Sequence, residues 1–315
     1  MTNNMLKYTF YKFCVMIFTL WAIITSVFFI MKALPGSPFD LEQELPKSVK
    51  VQLEQEYGLD QPVGIQYVKY LKNTVTFNLG QSYRFRGEKV SKIIVGGVKY
   101  SFFIGFCSLF VAVLFGVILG VTSVKKNFFV SKLVKFITTF GIAAPNFILA
   151  IFFMYFFGEK LKLIPIGDMH SFMSYVGPIL VLSVYPCAFI IKIVKETIPK
   201  VLNQQYVKVF EAYGMSKYKL LFKYALREVL TQLVTYIAPM VASIMMGSFA
   251  VEKIFLIPGL GTIFINAVVS RDYYIVCGLL LCYAVFYLLV VFVADIFYFI
   301  INPQVKSLFR LKNKI

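Results

Sequence analysis

Asp295 lies inside a long apolar run, residues 274–301. An ionisable side chain at the centre of a bilayer costs about 2.5–3.5 kcal/mol on insertion scales, so such residues invite a functional reading. Here that reading is a polar path or proton coupling in an ion-driven transporter. Asp295 sits about two turns from the end of its run, and a structural hydrogen-bonded role is favoured. The other reactive residue types point away from enzyme chemistry. His170 is the single histidine, so a histidine-based triad would rest on one loop residue. Cys14, Cys107, Cys187, Cys277 and Cys282 all fall in apolar segments. Their odd number and lack of metal-ligand spacing argue against disulfides and zinc, leaving them as small packing residues. No Gly-rich loop ending in Gly-Lys-Ser or Gly-Lys-Thr occurs to cradle phosphates. Paired catalytic carboxylates are absent too. The expectation is a chain that is not an enzyme by itself, carries no cofactor and binds no metal.

The residues whose spacing suggests work lie in 205–228, QYVKVFEAYGMSKYKLLFKYALRE. This is the longest polar interruption in the C-terminal half. Val207, Phe210 and Gly214 recur at helical spacing, and so do Leu220, Leu221, Tyr224 and Ala225. Gly214, between the two sets, is a natural helix stop. The pattern predicts helix, turn, helix, with an apolar stripe that needs a cover.

The elements around it are membrane-grade. Of 315 residues, 59% are hydrophobic, and the mean hydropathy is +0.77, which places the chain among polytopic membrane proteins. Six spans are expected: 13–31, 100–124, 136–157, 174–194, 229–250 and one within 274–301. Gly116 and Gly120 make a small-xxx-small pair suited to close helix packing. Pro145, in Ala143-Ala144-Pro145-Asn146, is expected to bend the third span. Residues 32–99 are mixed and polar, with helix starts at Pro46 and Pro62, and read as a small extracytoplasmic cap. The resulting layout is 1–31 for the cytoplasmic N-terminus and first helix and 32–99 for the cap. A five-helix core at 100–301 includes a cytoplasmic loop at 195–228, and 302–315 is a cytoplasmic tail.

The formal charge of +17 does not imply nucleic acid. The excess sits in the N-terminus, the 125–135 loop, the 192–228 loop and the tail, whereas the 158–173 and 251–273 loops are balanced. That is the positive-inside pattern for six spans with both ends cytoplasmic. No soluble basic, aromatic-interleaved face is present to bind a nucleic acid.

Several motifs resemble those of the membrane subunits of bacterial ABC importers, and in particular the B-type permeases of the oligopeptide, dipeptide and nickel branch. In the 205–228 segment the invariant-pattern Gly of that family's cytoplasmic loop falls on Gly214. Its Glu position falls on Lys208 and its final Pro on Arg227, departures usual in the peptide branch. The peptide-branch pattern is matched by Tyr206-Val207-Lys208 with Ala212 and Gly214, then Tyr224-Ala225-Leu226-Arg227. Further matches are Leu34-Pro35-Gly36-Ser37-Pro38, Tyr57-Gly58-Leu59-Asp60-Gln61-Pro62 and Asn78-Leu79-Gly80-Gln81-Ser82-Tyr83. The most specific is Val251-Glu252-Lys253-Ile254-Phe255 with Pro258-Gly259-Leu260-Gly261 and Arg271-Asp272-Tyr273. The family also carries an acidic residue at the position of Asp295.

The resemblance implies an all-α, multi-pass permease of the inner membrane. It implies a second, related permease subunit, two ATP-binding subunits below, and an extracytoplasmic peptide-binding protein above. It makes Tyr206, Val207, Lys208, Phe210, Glu211, Ala212, Gly214 and Arg227 the expected ATPase-coupling residues. Nickel chelates or another small solute remain alternative cargoes, and a stand-alone ion-driven transporter is the alternative class.

Overall fold

The computed structural model describes residues 2–33, 58, 60–82, 85, 87–124, 128–165, 167–168 and 171–301. Among the described residues the architecture is helical, with one isolated antiparallel bridge between Gln81 and Lys89. Five helices are long and apolar enough to cross a membrane, or six if one bent pair counts as a single span.

The first span is α1 (Thr2–Ala33). It runs antiparallel to the last, α12 (Tyr273–Ile301). Tyr8 stacks on Phe299 at 5.0 Å, Lys12 Nζ pairs with Asp295 Oδ2 at 2.6 Å, and Phe13 meets Phe292. The beginning of α1 and the end of α12 therefore share one membrane face. Asp295 has a cation at its side, as a structural role requires. At the opposite end lies the cap helix α2 (Val63–Val75), opened by Pro62. Its Tyr67 hydroxyl bonds Thr25 Oγ1 at 2.8 Å, and Phe28 of α1 stacks on Tyr70. The expected cap helix from Pro46 and the 302–315 tail lie outside the described residues, as does His170.

Span two is α3 (Val90–Ser123). It begins before Tyr100, so the expected boundary between cap and bundle at 99 and 100 falls inside a helix. Lys92 and Lys99 lower the local hydropathy without breaking the helical period, which is why composition placed the start too late. Gly116 and Gly120 face the fourth span, α6 (Met173–Leu202). A Cβ on Gly116 would stand 2.8 Å from Ile190 Cβ, and one on Gly120 2.6 Å from Val194 Cβ. The paired steps of four residues show the two helices running parallel, one turn at a time.

The third span is not a bent helix but a broken one. It comprises α4 (Phe128–Ala143) and α5 (Asn146–Phe153), the latter continued by a π-helical turn, Met154–Lys160. The two halves meet at 104°. Pro145 has no N–H to continue the ladder and forces extended backbone before it. Its own ψ of 132° restarts the chain in a new direction.

The fourth span continues past its expected end at Val194 to Leu202. Then come α7 (Gln205–Ala212), the short α8 (Lys217–Leu220), a second π-helical turn, Leu221–Ala225, and α9 (Leu226–Met245). Two small helices, α10 (Phe249–Ile254) and α11 (Leu260–Val269), fill the link between spans five and six. They are packed into the bundle: Val251, Phe255, Ile257, Leu260 and Ala267 are buried.

Candidate functional site

The 205–228 segment forms the expected helix, turn, helix, with one difference. Its second helix is not separate from the fifth span but runs into it through the Leu221–Ala225 π-turn, and 217–254 passes as one span-length unit.

The turn is closed by backbone geometry. Gly214 N–H donates to Glu211 O at 2.9 Å and Met215 N–H to Phe210 O at 3.1 Å. These are the paired bonds of a Schellman motif. Gly214 has φ +83°, the left-handed conformation such a motif requires. A Cβ there would meet nothing within 4 Å. Ser216 then caps α8, its Oγ accepting from Lys219 N–H.

The apolar stripe finds its cover. Val207, Leu220, Ala225, Val229 and Leu233 are buried together with Ile190, Ile193, Val194, Ile198 and Val201 of α6 and Ala112 of α3. Phe210, Met215, Leu221 and Tyr224 pack against that cluster. Thr197 Oγ1 donates to Gln232 Oε1 at 2.7 Å, joining spans four and five beneath it. Lys195 reaches Ser131 at 3.4 Å, so the start of α4 lies at this same end.

Seven of the eight expected coupling residues divide into two groups. Val207 is the buried anchor of α7, and Phe210 is half-buried beside it. Tyr206, Lys208, Glu211, Ala212 and Gly214 are exposed, forming the outward face with Val209 and Tyr213. Tyr213 is 85% exposed. Glu211 and Lys217 make a loose surface pair at 3.9 Å. Arg227 is exposed in the first turn of α9, on the span rather than on α7. The structure joins Tyr206 and Phe210 to Tyr224, which the apolar period had marked only as a stripe residue. Phe210 stacks on Tyr224 at 5.2 Å, and Tyr206 meets the same ring edge-on at 6.1 Å.

At the other end the most specific sequence motifs form two buried polar clusters. Glu252 and Asp272 read as ordinary loop charges in the sequence, yet both are buried. Glu252 Oε1 accepts from Ser101 Oγ of α3 at 2.7 Å. Its Oε2 accepts from the N–H groups of Gly261 at 2.8 Å and Thr262 at 3.3 Å. Ser101 Oγ in turn accepts from Leu260 N–H at 2.8 Å. The carboxylate and its serine thus satisfy the first-turn amides of α11. Asp272 does the same for α12, accepting from Ile275 N–H, and it also accepts from Ser82 Oγ of the cap at 2.5 Å. The signal for both was their place in the motifs; their burial had none. Tyr70 of the cap packs beside Cys277, and burial holds its hydroxyl above the usual phenol range.

Among the described residues no group of three or more His, Cys, Asp or Glu side chains is placed to hold a metal. The arrangement offers a helical bundle, a packed apolar platform at one end with an exposed short helix on it, and a hydrogen-bonded segment at the other.

Comparison with known proteins bears on what such a platform meets. Residues 112–307 match the family described as "Binding-protein-dependent transport system inner membrane component". The dipeptide transport system permease protein DppB of Bacillus subtilis is 35% identical over 303 residues, covering 96% of this chain and 98% of that one. The oligopeptide transport system permease protein OppB of Haemophilus influenzae is 29% identical over 305 residues, covering 96% and 100%. In fold, the chain is similar to a chain of the inward-facing MetNI methionine ABC transporter. That likeness has a TM-score of 0.53 at 17% identity, covering 67% of this chain and 97% of the other.

Proposed function

Because the chain belongs to the family of binding-protein-dependent transport system inner membrane components, we propose that it is the permease subunit of an ATP-driven importer of dipeptides or oligopeptides. The peptide cargo is supported by the near full-length likeness to dipeptide and oligopeptide permeases. The observation that carries the coupling role is α7: an exposed short helix fixed by Val207 to a cluster shared by spans two, four and five.

In this reading the chain forms half of the pathway and a second, related permease the other half. Two ATP-binding subunits hold α7 from the cytoplasm, and an extracytoplasmic peptide-binding protein delivers cargo at the capped end. ATP hydrolysis belongs to the partners, and this chain is non-catalytic. Tyr206, Lys208, Glu211, Ala212 and Gly214 supply the docking face, and Val207 and Phe210 anchor it. Closure of the ATPase pair displaces α7, and the shared cluster carries that displacement into spans four and five. The two-state element is the bundle, and its bias is a nucleotide bound on other chains.

The test is reconstitution of the chain with its neighbouring permease, ATPase and binding-protein chains in vesicles. ATP-dependent accumulation of labelled peptide, lost when any component is omitted, is the expected result. Accumulation of a nickel chelate without peptide would change the cargo. Peptide flux by this chain alone, driven by an ion gradient, would move it to another class of transporter.

A further inference from the structure

We propose that Tyr224, set on the Leu221–Ala225 π-turn, is a positioning residue that, beside the shared apolar cluster, passes movement of α7 to the fifth span. This rests on the reading of α7 as the docking helix.

Besides the apolar cluster that Val207 shares with Leu220, Ala225 and Val229, two routes connect α7 to α9. The first is the backbone through Gly214, Met215 and Ser216. It passes a left-handed glycine with open space around it, so it is a poor pushrod. The second is direct contact between rings. Phe210 and Tyr224 are nearly parallel, 18° apart, with centroids at 5.2 Å. Tyr206 closes on Tyr224 from the side at 63° and on Phe210 at 79°. Both of α7's aromatic side chains therefore bear on one ring, and that ring belongs to the helical unit that becomes span five.

The π-turn explains why the ring is there. It is marked by Leu226 N–H donating to Leu221 O, one residue further back than in an α-helix. Such turns are rare, occur mostly as single-turn bulges within α-helices, and are frequent at functional sites. An inserted residue rotates everything before it by about 100° relative to everything after it. Here it lets Leu220 and Ala225, both buried, keep their places in the core while Tyr224 turns to α7. Lys223 Nζ lies 5.6 Å from the centre of the same ring. With a regular α-turn, Leu220 and α9 could not both keep their present faces.

The experiment uses the full complex with three variants: Tyr224→Ala, Tyr224→Phe and deletion of Phe222, which is exposed and whose loss converts the π-turn to an α-turn. Three quantities are read: ATPase subunits co-purified per permease, ATP hydrolysis, and peptide uptake. Tyr224→Ala and the Phe222 deletion are expected to keep the ATPases bound and hydrolysing, while uptake per ATP falls by about tenfold or more, the scale of a lost coupling. Tyr224→Phe is expected to transport normally, since the ring is retained. If Tyr224→Ala accumulates poorly, Tyr224→Leu preserves apolar volume without the ring and carries the same comparison. Normal uptake per ATP in Tyr224→Ala or Tyr224→Leu overturns the proposal, and so does loss of the bound ATPases, which would make the ring part of the docking surface. Failure of the docking reading itself shows separately, as undiminished ATPase co-purification by Tyr213→Asp at the exposed C-cap of α7.

Discussion

Removing the Glu252 carboxylate should loosen the end of the bundle opposite α7. The side chain is 2% exposed and takes three donors: Ser101 Oγ at 2.7 Å, Gly261 N–H at 2.8 Å and Thr262 N–H at 3.3 Å. Gly247, Gly259 and Gly261 surround it so closely that a Cβ on any of them would press on the carboxylate. Glu252→Ala leaves these donors without an acceptor. Each orphaned donor costs about 1–3 kcal/mol, so three of them, partly relieved by relaxation of the site, should cost about 3 kcal/mol or more in total. Glu252→Gln is milder. Ser101 Oγ already accepts from Leu260 N–H, so its own proton needs an oxygen. The Gln amide can offer one oxygen to the serine or to the α11 amides, not to both, and a loss of about 1–2 kcal/mol follows. The assay is thermal unfolding of the detergent-solubilised chain. At about 2–4 °C per kcal/mol for a chain approaching this size, Glu252→Ala should lower Tm by about 6 °C or more and Glu252→Gln by about half as much. Glu88→Ala is the control: its pair with Lys92 is on the surface, and such pairs contribute about 0–1 kcal/mol. If Glu252→Ala matches the Glu88→Ala control, this polar cluster is not what holds α10 and α11 to α3.

Three further outcomes follow from the geometry. Gly116→Val drives a side chain into Ile190 and the Cys187 carbonyl; overpacking of this kind costs about 1–3 kcal/mol, and quantitative blotting should show less chain in the membrane. Gly214→Val meets no atom but must hold φ +83°, at about 1–2 kcal/mol; the bundle should insert normally while ATPase co-purification and uptake fall. Asp295→Asn breaks the pair with Lys12 at the end of the bundle; ATP-driven uptake should persist with an unchanged pH profile, and a shifted profile would restore the proton-coupling reading of this residue.

Much of this organisation was legible in residue order. Apolar run length located the spans, because a bilayer demands them. The Gly116 and Gly120 spacing marked a close helix contact, and the period around Gly214 marked a helix, a turn and a second helix. Other features were not legible for definite reasons. Pro145 announces a discontinuity, but whether it yields a kink or a 104° break depends on what α5 packs against. Glu252 and Asp272 look solvated because their hydrogen-bond partners are backbone amides and distant serines, invisible to a local pattern. The π-turn leaves no residue-type signature, since it depends on keeping Leu220, Tyr224 and Ala225 in place simultaneously. Of the expected coupling residues, only Val207, Phe210 and Gly214 were marked by spacing; the rest followed from the resemblance, and the structure sets Arg227 among them on the span.

A photoreactive amino acid at Tyr213, the exposed C-cap residue of α7, reports what that helix touches in the intact membrane. With the assembled complex, illumination should join this chain to an ATP-binding subunit, and the yield should change when nucleotide closes the ATPase pair. A crosslink only to lipid, or one reached by a quencher confined to the extracytoplasmic side, would contradict the assignment of α7 as the docking helix.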